Sequence, residues 1–145
     1  MNLYTIGFTK KNAESFFEKL RAENVKRIID VRLNNVSQLA GFSKRDDLQF
    51  FLQKICDIEY VHMPNLAPTQ LILDAYKKGG GAWADYEAAF SQLMAQKHMI
   101  KSLPIKLLEG GCLLCSEAEP DFCHRRLLAE AAQRAYPGTE IIHLV

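Results

Sequence analysis

Net charge is nearly absent from this chain, because eighteen Lys and Arg residues are balanced by seventeen Asp and Glu residues. A formal charge of +1 argues against a protein whose main role is to coat duplex nucleic acid or an anionic membrane. No apolar run approaches the roughly eighteen residues that span a bilayer. The first residues also lack the charged-then-apolar pattern of a secretory signal. We therefore expect a cytoplasmic protein with no membrane partner.

Internal repeats, low-complexity tracts and linkers are also missing, so we expect one domain spanning residues 1–145. An apolar fraction of 48% and a charged fraction of 24% are typical of a globular protein and exclude wholesale disorder. A domain of this length buries roughly two thirds of the surface of its unfolded chain, so its core requires neither disulfides nor metal. The four cysteines are then more typical of free thiols, metal ligands or catalytic groups than of disulfides.

Apolar and β-branched runs alternate with helical patterns along the whole chain. Strands are predicted at 3–6, 27–31, 58–62, 112–115 and 141–145. Helices are predicted between them, with Asn12 and Thr69 as caps. The run at 112–115 is apolar throughout, which is typical of a central strand. The alternation predicts an α/β fold, a single-domain three-layer Rossmann-like arrangement with helices on both faces of a mainly parallel sheet of about five strands.

Chemically active side chains follow the predicted strands at their carboxyl ends. In open α/β sheets the ligand binds at this edge, where loops converge and helix N-termini point inward. The residues delivered there are Gly7, Phe8, Thr9, Asp30, Arg32, His62, Ser116, Glu117 and the run 123–126. The sequence therefore predicts a site at this edge of the sheet.

The segment 115–126 combines cysteines, acids, a histidine and arginines ahead of a predicted helix. With Asp121 as the N-cap, Cys123, His124 and Arg125 would occupy the first helical turn. The helix dipole disfavours a cation there by about 0.3 to 1 kcal/mol. Either the acids of the segment neutralise these cations and tie the loop to the helix, or the turn binds an anion through its side chains and free backbone N–H groups. Both interpretations stay open.

Four short blocks stand out along the chain. They are Tyr4-Thr5-Ile6-Gly7-Phe8-Thr9, Asp30-Val31-Arg32, Gly41-Phe42-Ser43-Lys44 and Cys115-x-Glu117-x-x-Pro120-x-x-Cys123-His124-Arg125. Together they resemble the signature blocks of a widespread bacterial family catalogued as domain of unknown function four-eight-eight. The resemblance implies a compact single-domain α/β fold in a soluble bacterial protein, and no established reaction. The chain departs from the commoner family pattern after Arg32, where many members place a proline near Asn35 and a basic residue near Gln38.

The cysteines allow either a metal site or a reactive thiol. Cys112, Cys115, Cys123 and His124 would supply the four ligands of a tetrahedral zinc site. However, residues three apart in a strand point to opposite faces, so we expect no metal and no cofactor. Cys123 beside His124 and Arg125 has an environment that lowers a thiol pKa, which makes it a candidate nucleophile or redox thiol. The alternative is that Cys123 is a packed core residue.

Asp30 and Glu117 are candidates for general acid–base catalysis, because they follow strands that should be close neighbours. The alternative is that each carboxylate pairs with an arginine, for example Asp30 with Arg125, and holds the edge of the sheet together. His62 shares a strand face with Tyr60, which favours a buried, hydrogen-bonded histidine over a ligand.

Two functions fit these residues. The first is an enzyme of hydrolase or transferase type that acts on a small anionic substrate, phosphorylated or nucleotide-like. Its predicted catalytic residues are Asp30, Glu117, Cys123 and His124, and its predicted substrate-binding residues are Gly7, Thr9, Arg32, Lys44, Ser116 and Arg125. The second is a non-catalytic nucleotide or nucleic-acid binding module, in which Phe42 or Trp83 stacks a base. Carboxylates, a histidine and cysteines at one edge exceed what holding a phosphate requires, which favours the enzyme.

Overall fold

Five parallel strands form the central sheet of the protein. The computed structural model describes residues 1–35 and 41–145. The strands are β1 (Asn2–Gly7), β2 (Arg27–Asp30), β3 (Glu59–His62), β4 (Gly111–Cys115) and β5 (Glu140–Leu144). They lie in the order β3-β2-β4-β1-β5, and all neighbouring pairs are parallel. The predicted strands and the central position of β4 are confirmed.

Six α-helices lie within these two ranges. They are α1 (Ala13–Ala22), α2 (Arg45–Phe51), α3 (Gln70–Lys77), α4 (Trp83–Lys97), α5 (Ile105–Leu108) and α6 (His124–Ala135). The predicted caps are confirmed, because the side chain of Asn12 accepts from the N–H of Ser15 and that of Thr69 accepts from the N–H of Ile72. None of the helices described here is long and apolar enough to cross a bilayer.

Helices cover both faces of the sheet, which gives the protein three layers. On one face, Phe16 of α1 and Leu48 of α2 share a buried core with Ile28 of β2. On the other face, α4 and α6 contribute Phe90 and Leu128 to a second core. This arrangement confirms the predicted single-domain α/β, Rossmann-like fold.

Strand β4 contributes alternate side chains to the two cores. Cys112 and Leu114 belong to the core under α1 and α2. Leu113 and Cys115 belong to the core under α4 and α6. The prediction that Cys112 and Cys115 point to opposite faces is therefore confirmed, and the last residue of β4 faces the start of α6.

Candidate functional site

A cavity of about 300 Å³ opens at the carboxyl ends of the strands. Its walls come from the segments that follow β2 and β4, from α3 and α4, and from the start of α6. Cys115, Cys123 and His124 all line it, although each is buried. The cavity thus brings the predicted reactive residues of the segment 115–126 together at one place.

The start of α6 differs from the prediction. The helix begins at His124, and its N-cap is Cys123 rather than Asp121. The reason is a turn before the helix, in which the N–H of Cys123 donates to the carbonyl of Pro120 at 3.2 Å. The first N–H groups of a helix lack intrahelical acceptors and carry partial positive charge. Cys123 therefore lies at the positive end of α6.

Cys115, Cys123 and His124 form a compact cluster. Their two sulfur atoms and one ring nitrogen lie within 4.8 Å of one another. Nδ1 of His124 is 3.6 Å from Sγ of Cys115, and its Nε2 is 2.8 Å from the carbonyl oxygen of Val31. Because a carbonyl oxygen can only accept, Nε2 must carry a proton and donate it. The carbonyl of Val31 thus orients the ring so that Nδ1 faces the sulfurs, where it can take up or release a proton.

The pKa values of the two thiols in the cluster are shifted in opposite directions. Burial alone would raise the pKa of Cys123, but hydrogen bonds with Cys115 and His124 and the charges of His124 and Arg125 hold that pKa well below its ordinary range. The hydrogen bond to Cys123, together with burial, raises the pKa of Cys115 well above its ordinary value. Loss of a proton from the cluster is therefore favoured at Cys123 over Cys115.

Arg125 is fully buried beneath the loop that follows β4. Its guanidinium donates to the carbonyl oxygens of Glu117 and Ala118 at 2.6 and 3.3 Å, and its Nε is buried without a partner. Among residues 1–35 and 41–145 no carboxylate forms an ion pair with it. The charge of Arg125 is one of the causes that lower the pKa of Cys123. Arg125 does not line the cavity, so its predicted direct contact with a bound anion is not supported.

Asp30 lies apart from the thiol cluster, in a buried ion pair with Arg32. Its carboxylate accepts hydrogen bonds from Nε and Nη2 of Arg32 at 2.9 and 2.8 Å, and from the hydroxyl of Tyr60 at 2.6 Å. The suggested pairing of Asp30 with Arg125 is wrong. Asp30 is the last residue of β2, and the side chain of Arg32 turns back to pair with it. Asp30 does not line the cavity. Its position indicates that it holds Arg32 in place.

Glu117 and Asp30 do not form a carboxylate pair. Their strands are neighbours, as predicted, but Glu117 lies at the cavity wall in an ion pair with Lys77 of α3 at 2.8 Å. The hydrogen bond from Lys77 to this carboxylate raises the pKa of Lys77. Sequence analysis missed Lys77, because nothing near it in the chain indicates a partner 40 residues away. A catalytic role for Glu117 stays a prediction.

The other predicted substrate-binding residues divide into two groups. Arg32 and Ser116 line the cavity, whereas Gly7, Thr9 and Lys44 do not. The N–H of Thr9 donates to the carbonyl of Ser116 at 3.1 Å. Gly7 and Thr9 therefore lie against the loop that follows β4 and outside the cavity. His62 is hydrogen-bonded to the carbonyl of Arg32 at 2.9 Å, as expected of a structural histidine.

Gly7→Ala is expected to destabilise the protein by about 1 to 3 kcal/mol. A Cβ at Gly7 would overlap the carbonyl of Glu117 and would lie 3.0 Å from Nη1 of Arg125, so the loop would have to move. Urea unfolding followed by circular dichroism measures the change. Gly41→Ala is the matched control, because a Cβ at Gly41 meets nothing within 4 Å. Equal stabilities of the two variants would show that the close approach at Gly7 is unimportant.

Cys115, Cys123 and His124 are also the residues that could hold a soft metal ion, and no other such set was found in the described ranges. Two thiolates on a zinc ion would form a neutral unit and would leave the buried charge of Arg125 unbalanced. We therefore expect no resident zinc, in keeping with the exclusion of Cys112 from the cluster. Elemental analysis of protein purified without chelator tests this. About one zinc per chain, lost in Cys123→Ser, would overturn the expectation.

Residues 12–132 match the family described as Domain of unknown function DUF488. The chain belongs to this family. The matched part of this DUF488 protein contains the whole thiol cluster and the segment 115–126, whereas the block at 4–9 lies before it. No curated protein and no solved structure matches the chain. The family's basic position near Gln38 falls outside the residues that the structure describes.

Two arginines at this edge of the sheet are withdrawn from the surface of this DUF488 protein. Arg32 and Arg125 are only 4% and 0% exposed, so neither can contact a phosphate backbone at the surface. Phe42 packs against Phe16 and Phe17, with ring centroids 5.2 and 5.9 Å apart. Stacking of a base on Phe42 is therefore not supported, because its half-buried ring packs against the core on the opposite face of the sheet.

Proposed function

We propose that this protein is a thiol-dependent enzyme of hydrolase or transferase type, in which Cys123 attacks a small anionic substrate in the cavity. The observation that carries the proposal is the placement of Cys123 at the N-terminus of α6, within 4.8 Å of the reacting atoms of Cys115 and His124. A nucleophile beside a base that a third group orients is the recurrent arrangement of covalent catalysis. Here these three groups are Cys123, His124 and the carbonyl of Val31.

The proposed first step leaves a covalent intermediate on Cys123. In the reactive form of the protein, Nδ1 of His124 already holds the proton that the Cys123 thiol has given up. The sulfur electron pair then forms a bond to the electrophilic centre of the substrate, as the bond from that centre to the leaving group breaks. The leaving group departs with that electron pair and takes the proton from Nδ1. In the second step water or an acceptor attacks the intermediate, His124 accepts its proton, and the Cys123 thiolate is released.

Charges around the cavity support an anionic substrate. The charges of Arg32 and Lys77 are each cancelled by a paired carboxylate. Arg125 has no ion pair with a carboxylate among residues 1–35 and 41–145, so Arg125 and the N-terminus of α6 together produce a positive field at Cys123. That field stabilises the thiolate before the reaction. Once the sulfur has formed its bond, the same field stabilises negative charge that develops on the substrate.

Selective alkylation tests this proposal. At pH 7 Cys123 is expected to react with iodoacetamide at least tenfold faster than Cys56, whose pKa is raised by burial. Peptide mass spectrometry after short exposures measures both rates in one sample. Anionic iodoacetate, relative to neutral iodoacetamide, should favour Cys123 over Cys56. The positive charge of Arg21 near Cys56 is offset by its ion pair with Glu18, whereas Arg125 has no carboxylate partner in the described ranges. A Cys123 that reacts more slowly than Cys56 with both reagents would contradict the proposal.

A further inference from the structure

Aromatic side chains form one wall of the cavity. Tyr76 of α3, Tyr86 of α4 and Phe122 line it, and Trp83 packs against all three. Trp83 stacks on Tyr86 with ring centroids 4.8 Å apart and planes inclined by 21°. It meets Phe122 edge to face at 5.6 Å. Rings packed in this way hold one another in fixed orientations, so the wall is formed before any ligand binds.

Phe122 is the exposed member of this wall. It is 60% exposed, although it lines the cavity and directly precedes Cys123 in the chain. Its ring therefore offers apolar surface that the protein itself leaves uncovered, next to the proposed nucleophile. A planar apolar group in the cavity would remove part of that surface from water.

The size and charge of the cavity restrict which ligands could carry this planar apolar group. A volume of about 300 Å³ lies at the lower end of the range for small-molecule sites, which suits one ring system with a small substituent. Nζ of Lys77 lies 5.6 Å from the ring centre of Tyr76, and the guanidinium of Arg126 lies 6.0 Å from that of Trp83. Because two of the rings already face cations, the wall does not favour a cationic ligand.

We infer that the substrate is an aryl or heteroaryl compound with an anionic group, whose ring packs on the wall of Tyr76, Tyr86 and Phe122 while its electrophilic centre faces Cys123. The inference rests on the proposed function for the position of the reacting centre. It adds the substrate class, because neither the thiol cluster nor the positive field requires a ring.

Trp83 provides a built-in probe for this inference, since it is the only tryptophan in the chain and touches both Tyr86 and Phe122. Its fluorescence is followed during titration with two matched pairs of probes. Phenyl phosphate is compared with methyl phosphate, and adenosine 5′-monophosphate with ribose 5-phosphate. In at least one pair the ring compound is expected to bind tenfold or more tightly than its ringless partner. Equal affinities within both pairs, or no saturable change with either ring compound, would overturn the inference.

Two phenylalanine variants locate the binding of the ring. Phe122→Leu is expected to weaken binding of the ring compound by about threefold or more and to leave the ringless partner unchanged. Phe50→Leu is the matched control, because Phe50 is 56% exposed on α2 and does not line the cavity. It should change neither affinity. Equal effects of the two substitutions would show that the ring does not bind at this wall.

The same probes separate this inference from the proposed function. Alkylation of Cys123 in the free protein does not involve a ligand ring. If Cys123 reacts as proposed but ring and ringless compounds bind equally, the substrate class is wrong and the thiol enzyme stands. If the ring compounds bind preferentially while Cys123 is inert, the ring site stands and the proposed thiol chemistry is wrong.

Discussion

Replacing Asp30 with alanine is expected to lower the free energy of unfolding by about 3 to 5 kcal/mol. The carboxylate is fully buried and holds the guanidinium of Arg32, which is itself only 4% exposed. Its removal leaves a buried cation without its partner, and it also leaves the hydroxyl of Tyr60 without its acceptor. Urea unfolding followed by circular dichroism at pH 7 measures the loss.

Two further variants make the Asp30 experiment decisive. Asp46→Ala removes a carboxylate that is 81% exposed in its pair with Arg45, and is expected to cost about 1 kcal/mol or less. The double variant Asp30→Leu with Arg32→Met removes both buried charges and should be less destabilised than Asp30→Ala alone. If Asp30→Ala lowers the free energy of unfolding no more than Asp46→Ala does, Asp30 does not stabilise the fold. That result would favour its predicted catalytic role.

Replacing His124 with asparagine is expected to slow alkylation of Cys123 at pH 7 by roughly fourfold to fifteenfold. His124 stabilises the Cys123 thiolate through a hydrogen bond and a positive charge. Without them the pKa of Cys123 rises and the thiolate fraction at pH 7 falls. The remaining thiolate is intrinsically more nucleophilic, which offsets part of that loss.

His98→Gln is the control for this substitution, because His98 is exposed at the end of α4 and lies outside the thiol cluster. In the His98→Gln variant, Cys123 should be alkylated at the same rate as in the unchanged protein. Circular dichroism shows whether His124→Asn is folded. A folded His124→Asn protein that is alkylated as fast as the control would show that His124 does not activate the thiol.

Local patterns in the sequence predicted most of the fold. Apolar residues repeat with the period of a strand or a helix because they face a core, so this alternation predicted all five strands. The run at 112–115 is apolar throughout, which predicted that this strand lies at the sheet centre. The same period of two placed Cys112 and Cys115 on opposite faces. Asn12 and Thr69 cap their helices because each accepts from a backbone N–H only three residues ahead.

The candidate site was harder to predict, because its contacts depend on tertiary structure. Arg125 binds the carbonyl groups of a loop, and a sequence does not show which carbonyl oxygens will converge. Tyr86 has the spacing of a core residue and is buried, yet it also lines the cavity, which exists only once α3 packs beside α4. The pairing of Lys77 with Glu117 depends on the same packing.

The pH dependence of Cys123 alkylation tests the central claim most directly. Because the pKa of Cys123 is held below its ordinary range, the thiolate should persist as the pH falls and should be lost only well below about 8.5, the value for a free cysteine. The rate of iodoacetamide modification at Cys123, measured by peptide mass spectrometry from pH 4 to pH 10, should therefore reach its plateau at a lower pH than that of a free cysteine. Cys56 in the same samples should titrate at higher pH, because burial raises its pKa. A midpoint for Cys123 at or above about 8.5 would contradict the account.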